Sequence, residues 1–254
     1  MTSYRVRSKF VFYDLYLPAK SNGTVVLYVP GFPSHPRKRT LGEKLAKSGY
    51  TFLEMRYQGS WESEGRFTFN NCLTSLNEAY NFAQKSIAKE LRFGKNLKWK
   101  HKKIVLLPGS FGGTVALSTN IKEPLTMVLL APLMDTSDLS PTLKKVGNTD
   151  DLYNLVSKGY GMVYRGLTVT DWKKFITGKT KLNPKKNISN LRNKTITILQ
   201  GSKDRTVTPE STRKATKWLQ GNGVKGISYH LVANAGHGSD LEDKSFNLIL
   251  KAIK

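Results

Sequence analysis

The sequence predicts an α/β protein in which a mostly parallel sheet is covered on both faces by helices. Three observations carry this. Short runs rich in branched apolar residues, such as Thr24–Val29 and Thr126–Ala131, are continuous rather than alternating, as strands buried on both faces require. Stretches with apolar residues at helical spacing fall between those runs. Strand and helix then alternate along most of the 254 residues, the order that builds parallel sheets.

Taken in order, Tyr4–Leu17 alternates enough for one or two antiparallel strands at a sheet edge, and Ser21-Asn22-Gly23 is a turn. Strand Thr24–Val29 runs into Pro30-Gly-Phe-Pro-Ser34. A helix from about Arg37 to Ser48 is closed by Gly49, and Thr51–Met55 is the next strand. After the loop Arg56–Gly65, a helix from about Asn71 to Leu91 carries Leu73, Leu76, Ala79, Tyr80 and Ala83 on one face. A basic connection, Lys95–Lys103, reads as solvated and leads into a strand ending at Pro108; a helix over Thr114–Thr119 and strand Thr126–Ala131 follow. From Met134 to about Arg192 the alternation fails, leaving short helical pieces, many lysines and the aromatic residues Tyr153, Tyr160, Tyr164, Trp172 and Phe175. Strand Thr195–Leu199, helix Pro209–Leu219, strand Ile227–Val232 and helix Ser239–Ile253 complete the chain.

The length suits one large domain, or one with an insertion. No apolar run is long enough to span a bilayer, and the N-terminus lacks the apolar core of a secretory signal. The single cysteine, Cys72, excludes an internal disulfide and fits a reducing compartment, so a cytoplasmic protein is expected. Near a helix start its thiol reads either as one of lowered pKa or as a buried structural group. The formal charge of +23 favours attraction to nucleic acid, anionic membrane or acidic substrates. The basic residues are scattered, however, which suits a general lysine habit, and no nucleic-acid motif is present, so no specific nucleic acid is expected as a partner.

Ligands of open parallel sheets sit beyond the carboxyl ends of the strands. The informative loops are therefore Pro30–His35, Arg56–Gly65, Pro108–Gly113, Gly201–Thr208 and Ala233–Asp240. In Pro108-Gly-Ser110-Phe-Gly-Gly113 a serine sits on a tight strand-to-helix turn, where small neighbours leave room for adjoining backbone and the hydroxyl is lifted clear of the sheet. A serine hydroxyl needs a base. Of the four histidines, His35 follows the first buried strand, His101 lies in a lysine-rich connection and His230 within a strand. His237, in Ala-Gly-His-Gly-Ser-Asp, is flanked by glycines past a strand end and is best placed. The base needs an acid to hold its tautomer. Asp204, in the turn after Thr195–Leu199, is the first candidate; Asp135 and Asp138 are fallbacks. The order Ser110, Asp204, His237 is one of three known orders of such triads. For the oxyanion, the N–H of Phe111 and one from Gly31 or Phe32, with Phe32 preferred, are the expected donors, since Pro30 and Pro33 have none.

With Tyr-Val-Pro-Gly-Phe, Tyr-Gln-Gly-Ser-Trp-Glu-Ser-Glu-Gly-Arg-Phe, Pro-Gly-Ser-Phe-Gly-Gly, Leu-Leu-Ala-Pro, Gln-Gly-Ser-Lys-Asp and Ala-Gly-His-Gly, the chain resembles the α/β-hydrolases of the prolyl oligopeptidase-like and cinnamoyl (feruloyl) esterase-like branch. It departs at Pro30, where many members have histidine, at Gln58, and at Pro108, where the elbow pattern has glycine. The resemblance implies an α/β-hydrolase core over 1–133 and 193–254 with an inserted cap over 134–192, whose aromatic residues line the acyl or leaving-group pocket or form the cap's own core. It implies a serine hydrolase of carboxylic esters working through an acyl-enzyme, a small-molecule ester as partner, and no cofactor or metal. A small peptidase or aminoacyl amidase, with Glu62 or Glu64 binding a substrate amine, is the second reading. A non-catalytic basic binding protein on the same scaffold is the third. Homo-oligomerisation is compatible with all three.

Overall fold

The computed structural model describes residues 3–36, 39–136 and 149–254. Its strands are β1 (Tyr4–Ser8), β2 (Val11–Tyr16), β3 (Thr24–Val29), β4 (Thr51–Met55), β5 (Ile87–Lys89), β6 (Asn96–Lys98), β7 (Lys103–Pro108), β8 (Leu125–Leu130), β9 (Lys194–Gly201) and β10 (Ile227–Val232). Eight of them form one sheet in the order β1-β2-β4-β3-β7-β8-β9-β10, and β5 and β6 pair as a separate hairpin. β1 and β2 run antiparallel at one edge; from β4 to β10 every pairing is parallel. The chain goes from β3 outward to β4, then returns to place β7 on the other flank of β3, so the strand order reverses between β3 and β7. A ligand crevice opens at such a reversal.

The parallel strands bury both faces. In β3, Val25, Leu27 and Val29 join one core while Val26 and Tyr28 join the other. The first core is covered by α2 (Phe69–Lys85), α3 (Phe111–Leu117) and the C-terminal end of α7 (Pro209–Gly221); the second by α1 (Thr40–Lys47), α8 (Ser239–Lys244) and α9 (Phe246–Ile253). Between β8 and β9 lie α4 (Thr149–Tyr160), α5 (Val169–Ile176) and α6 (Ile188–Leu191). Here Trp172 and Phe175 are buried not in a separate core but against the main body: Phe175 stacks on Phe69 at 4.0 Å, and Tyr164 packs edge-on to Phe32 at 4.7 Å. Among the described residues no helix is long and apolar enough to cross a membrane.

Four boundaries differ from the sequence reading, each for a local reason. α1 begins at Thr40 rather than Arg37; Arg39 caps it without a side-chain capping bond, because a guanidinium has no acceptor for the first-turn N–H groups, and residues 37 and 38 lie outside the described residues. α2 stops at Lys85, where Ser86 turns left-handed (φ 60°), and the segment expected to extend it folds into the β5–β6 hairpin. α3 starts at Phe111, three residues earlier than expected, because both glycines after the serine enter its first turn. The final helix breaks at Ser245, whose buried hydroxyl bonds the Leu241 carbonyl at 2.6 Å while its ψ of 6° leaves the helical range.

One buried ionic cluster ties the two ends of the chain together. Arg39 grips Glu54 of β4 with two bonds of 2.9 and 2.6 Å and Glu242 of α8 with one of 2.8 Å, and its guanidinium lies 4.1 Å over the Tyr28 ring. Tyr28 donates to the same Glu242 oxygen at 3.1 Å. Burial alone would depress the Arg39 pKa, but Tyr28, Glu54 and Glu242 outweigh it and hold the guanidinium charged. Removing the cation strands two buried carboxylates. Arg39→Ala should therefore cost about 3–5 kcal/mol in urea denaturation, and a Lys at this position should not restore the forked contact to Glu54.

Candidate active site

The serine of the tight turn sits where the reversal of strand order places the crevice. β7 ends at Pro108, and Ser110 has φ 53° and ψ −120°, a left-handed conformation that a non-glycine residue adopts only under strain. The tightness is set by neighbours. A β-carbon on Gly112 would come within 2.1 Å of the Val29 carbonyl oxygen, and one on Gly113 within 2.5 Å of Pro132. Pro108, the departure from the usual pattern, falls where the β7–β8 ladder is interrupted: pairing is seen at Val105 and Leu106 and again at Gly109 opposite Leu130. The missing N–H is not needed there.

Asp204 follows β9 and His237 follows β10. The His237 Nδ1–H donates to Asp204 Oδ2 at 2.7 Å. The carboxylate is enclosed and fully used: Oδ1 accepts the N–H groups of Thr206 (2.8 Å) and Val207 (3.0 Å), and Oδ2 also accepts Gln200 Nε2 at 3.2 Å. Gln200, itself buried, is fixed in turn by Thr212 at 2.8 Å. This leaves His237 Nε2 as the ring atom available to the serine. Ser110 and His237 line the same cleft of about 310 Å³, with Gly31, Phe32, His35, Arg39, Thr206 and Glu242 among the other walls. Among the described residues the Ser110 hydroxyl has no hydrogen-bond partner, so it and the imidazole face one cleft without yet being joined. Such bonds commonly close only when substrate is present.

The loop after β3 lies directly on the serine: a β-carbon on Gly31 would stand 3.4 Å from that of Ser110. Among the described residues, the N–H groups of Phe32 and Phe111 donate to no protein acceptor. The loop is braced from outside by residues whose sequence context suggests no such role. Tyr57 donates to the Pro30 carbonyl at 2.7 Å, the Trp61 indole N–H to the Ser34 carbonyl at 3.0 Å, and the Ser34 N–H donates to the Tyr164 hydroxyl at 2.7 Å. Burial pushes the Tyr57 phenol well up and that of Tyr164 up to about 12, so both stay protonated at neutral pH. Beside Ser110 a second, apolar cavity of about 150 Å³ is lined by Phe32, Phe111, Leu133, Val156, Trp172 and Phe175.

The remaining candidates lie elsewhere. His35 bonds the Tyr160 hydroxyl at 2.9 Å at the rim of the cleft, His101 bonds Ser86 at 2.7 Å, and His230 is exposed on β10. Asp135 pairs with Lys185 at 2.5 Å, and Asp138 lies outside the described residues. Glu62 pairs with Arg5 and with Arg56 (2.9 Å), and Glu64 with Arg7 (2.6 Å). Partial burial pushes the Glu62 carboxyl up, but Arg56 and Arg5 outweigh it and hold it below the usual range. Burial pushes the Cys72 thiol well up, which makes it a packing group and not a reactive one. Among the described residues no cluster of three or more His, Cys, Asp or Glu side chains is placed to hold a metal.

Solved structures with this architecture are numerous. The chain is similar to the α/β hydrolase GrgF from Penicillium sp. sh18, with a TM-score of 0.70 at 13% identity, covering 100% of this chain and 98% of that one. This is the α/β-hydrolase fold. The esterase Pf2001 of Pyrococcus furiosus superposes with a TM-score of 0.64 at 14% identity over 100% of this chain and 91% of that one. The acylaminoacyl peptidase of Pyrococcus horikoshii gives 0.65 at 14% identity over 98% of this chain, but only 40% of its own. No protein-family model matches the sequence, and no curated protein is significantly similar to it. In this hydrolase fold the bracing phenols are the part of the site most easily tested by stability. Tyr57→Phe leaves the enclosed Pro30 carbonyl without its donor. It should cost about 1–3 kcal/mol of stability by thermal or urea unfolding, whereas Tyr50→Phe, which touches none of this loop, should be near neutral.

Proposed function

We propose that the chain is a serine hydrolase that cleaves small carboxylic esters. The reading rests chiefly on one observation: an enclosed Asp204 carboxylate holds His237 at 2.7 Å, with its other nitrogen left for a strained serine that lines the same cleft. In the proposed reaction His237 Nε2 takes the Ser110 proton as Oγ bonds to the ester carbonyl carbon. The tetrahedral oxyanion accepts the N–H groups of Phe32 and Phe111. Collapse breaks the bond to the leaving oxygen, which takes the proton from His237 and departs as the alcohol. Water, deprotonated by the same imidazole, then attacks the acyl-enzyme; the carboxylic acid leaves and Ser110 recovers its proton. Asp204 keeps Nδ1–H oriented and stabilises the imidazolium. No step calls for a cofactor.

The smaller aromatic-lined cavity suits the acyl group and the larger cleft, which carries the charged Arg39 and Glu242 on its wall, the leaving alcohol. On this reading 134–192 acts as a cap, with Trp172 and Phe175 forming part of the acyl wall. Amine recognition by Glu62 or Glu64 is disfavoured, because arginines already neutralise both. The esterase among the similar folds is in keeping with ester cleavage, and the peptidase carries most of its length outside the shared region.

Fluorophosphonate should label Ser110 of the wild type and nothing in Ser110→Ala. That variant should lose about 10⁴-fold or more in kcat on a p-nitrophenyl ester; turnover that survives it would remove the assignment. Phe175→Leu opens the apolar cavity and should move the preference from short toward longer acyl chains by about tenfold in relative kcat/KM, measured across an acyl series.

A further inference from the structure

The β5–β6 hairpin joins the end of α2 to the start of β7, and its tip lies along edge strand β1, with Glu90 bridging Val6 and the Leu91 N–H donating to the Arg5 carbonyl at 2.9 Å. Its inner face is anchored: Ala88, Leu97 and Trp99 are buried, and the Trp99 indole donates to the Ala83 carbonyl at 3.0 Å. Its tip is shaped by Glu90, whose buried carboxylate accepts the N–H groups of Arg92 (2.8 Å) and Phe93 (2.6 Å). The one acid of the hairpin is thereby turned inward. What faces out is apolar and cationic. Phe93 is 80% exposed, Ile87 49% and Leu91 46%. Lys85, Lys89, Arg92, Lys95, Lys98, Lys100 and Lys102 are all exposed, and among the described residues none has a carboxylate partner. Large side chains held out in water by a well-bonded turn are not explained by folding.

We infer that this hairpin docks the protein on an anionic lipid surface, with Leu91 and Phe93 inserting among the acyl chains and the surrounding lysines on the headgroups. The pairing of the two features selects this partner. A cationic ring with one exposed aromatic, Phe93, would also suit a nucleic acid, but the other two exposed apolar side chains, Ile87 and Leu91, are aliphatic and offer a base nothing to stack on. Each cation near an anionic leaflet adds roughly fivefold to partitioning, and charge joined to insertion supplies the two signals that stable peripheral binding needs. The inference does not depend on the hydrolase reading.

Cosedimentation of the full chain with vesicles of equal parts phosphatidylcholine and phosphatidylglycerol tests it, with circular dichroism and thermal unfolding checking the fold of every variant. Wild type should bind these vesicles and not pure phosphatidylcholine. Leu91→Ser/Phe93→Ser should weaken binding by roughly tenfold or more. Lys89→Glu/Lys98→Glu should weaken it far more than Lys214→Glu/Lys217→Glu, which makes the same charge change on exposed positions of α7. Absence of wild-type binding would overturn the inference, as would equal losses in the two charge variants or full binding by the serine variant. Tighter binding to duplex DNA than to vesicles, unchanged in the serine variant, would assign the face to nucleic acid instead.

Discussion

The site depends on a backbone contact with no side chain in it. The Val29 carbonyl at the end of β3 passes so close to residue 112 that a β-carbon there would be 2.1 Å away. Two neighbouring parallel strands thus end at the same level, and the turn leaving one is pressed under the loop leaving the other. The contact demands glycine at 112, forces the turn to be tight and holds Ser110 at positive φ. It also sets Gly31 against the serine, so the free N–H groups of Phe32 and Phe111 come from two segments that cannot shift independently. The positions of His237 and Asp204 are a separate matter, fixed by β9 and β10 being adjacent and in register from Ile196 opposite Ile227 to Gly201 opposite Val232.

The walls of the cleft are rigid for different reasons on its two sides. Toward α8 the wall is ionic, built from Arg39, Glu54, Glu242 and the Tyr28 hydroxyl. An ion cluster of this kind contributes little net stability over an apolar replacement but fixes geometry, since any partial loss strands a charge. Toward α5 the wall is aromatic: Phe69, Phe111 and Phe175 pack on one another with centroids 4.0 to 5.9 Å apart. That side can be reshaped by volume without leaving an unpaired polar group, which makes it the side where selectivity for an acyl group can vary.

The sequence was informative where local chemistry is unambiguous. Buried parallel strands announce themselves by unbroken apolar runs, and all of them lie within a residue or two of where they were expected. The Gly-rich turn around Ser110 and the glycines flanking His237 are legible because few residues tolerate such backbone. Other features are not local. That Tyr57, Trp61 and Tyr164 converge on Pro30 and Ser34 follows from how three loops meet, and nothing at those positions distinguishes them from packing aromatics. Gln200 behind Asp204 is hidden in the same way. Of the β5–β6 hairpin, β5 was misread as the end of a helix and β6 as a solvated basic connection, because lysines conceal the alternation of buried Ala88, Leu97 and Trp99 against exposed neighbours. The Arg39 cluster joins residues 203 apart in sequence, beyond the reach of any periodicity.

The charge of the chain looks different once burial is known. Among the described residues, Asp14, Glu54, Glu78, Glu90, Asp204 and Glu242 are buried, from a total of 18 acids, whereas of 41 basic residues only Arg39, Arg56 and Lys194 are. Folding therefore withdraws negative charge from the surface far more than positive charge, and the folded exterior is more uniformly cationic than the composition suggests. A surface of that kind repels its own copies and collects anions over its whole extent. Charge alone then cannot mark a binding face, because it is nearly everywhere. The discriminating feature is the coincidence of cations without a carboxylate partner with apolar side chains that a rigid turn prevents from folding back, and Leu91 and Phe93, next to the inward-turned Glu90, meet that condition.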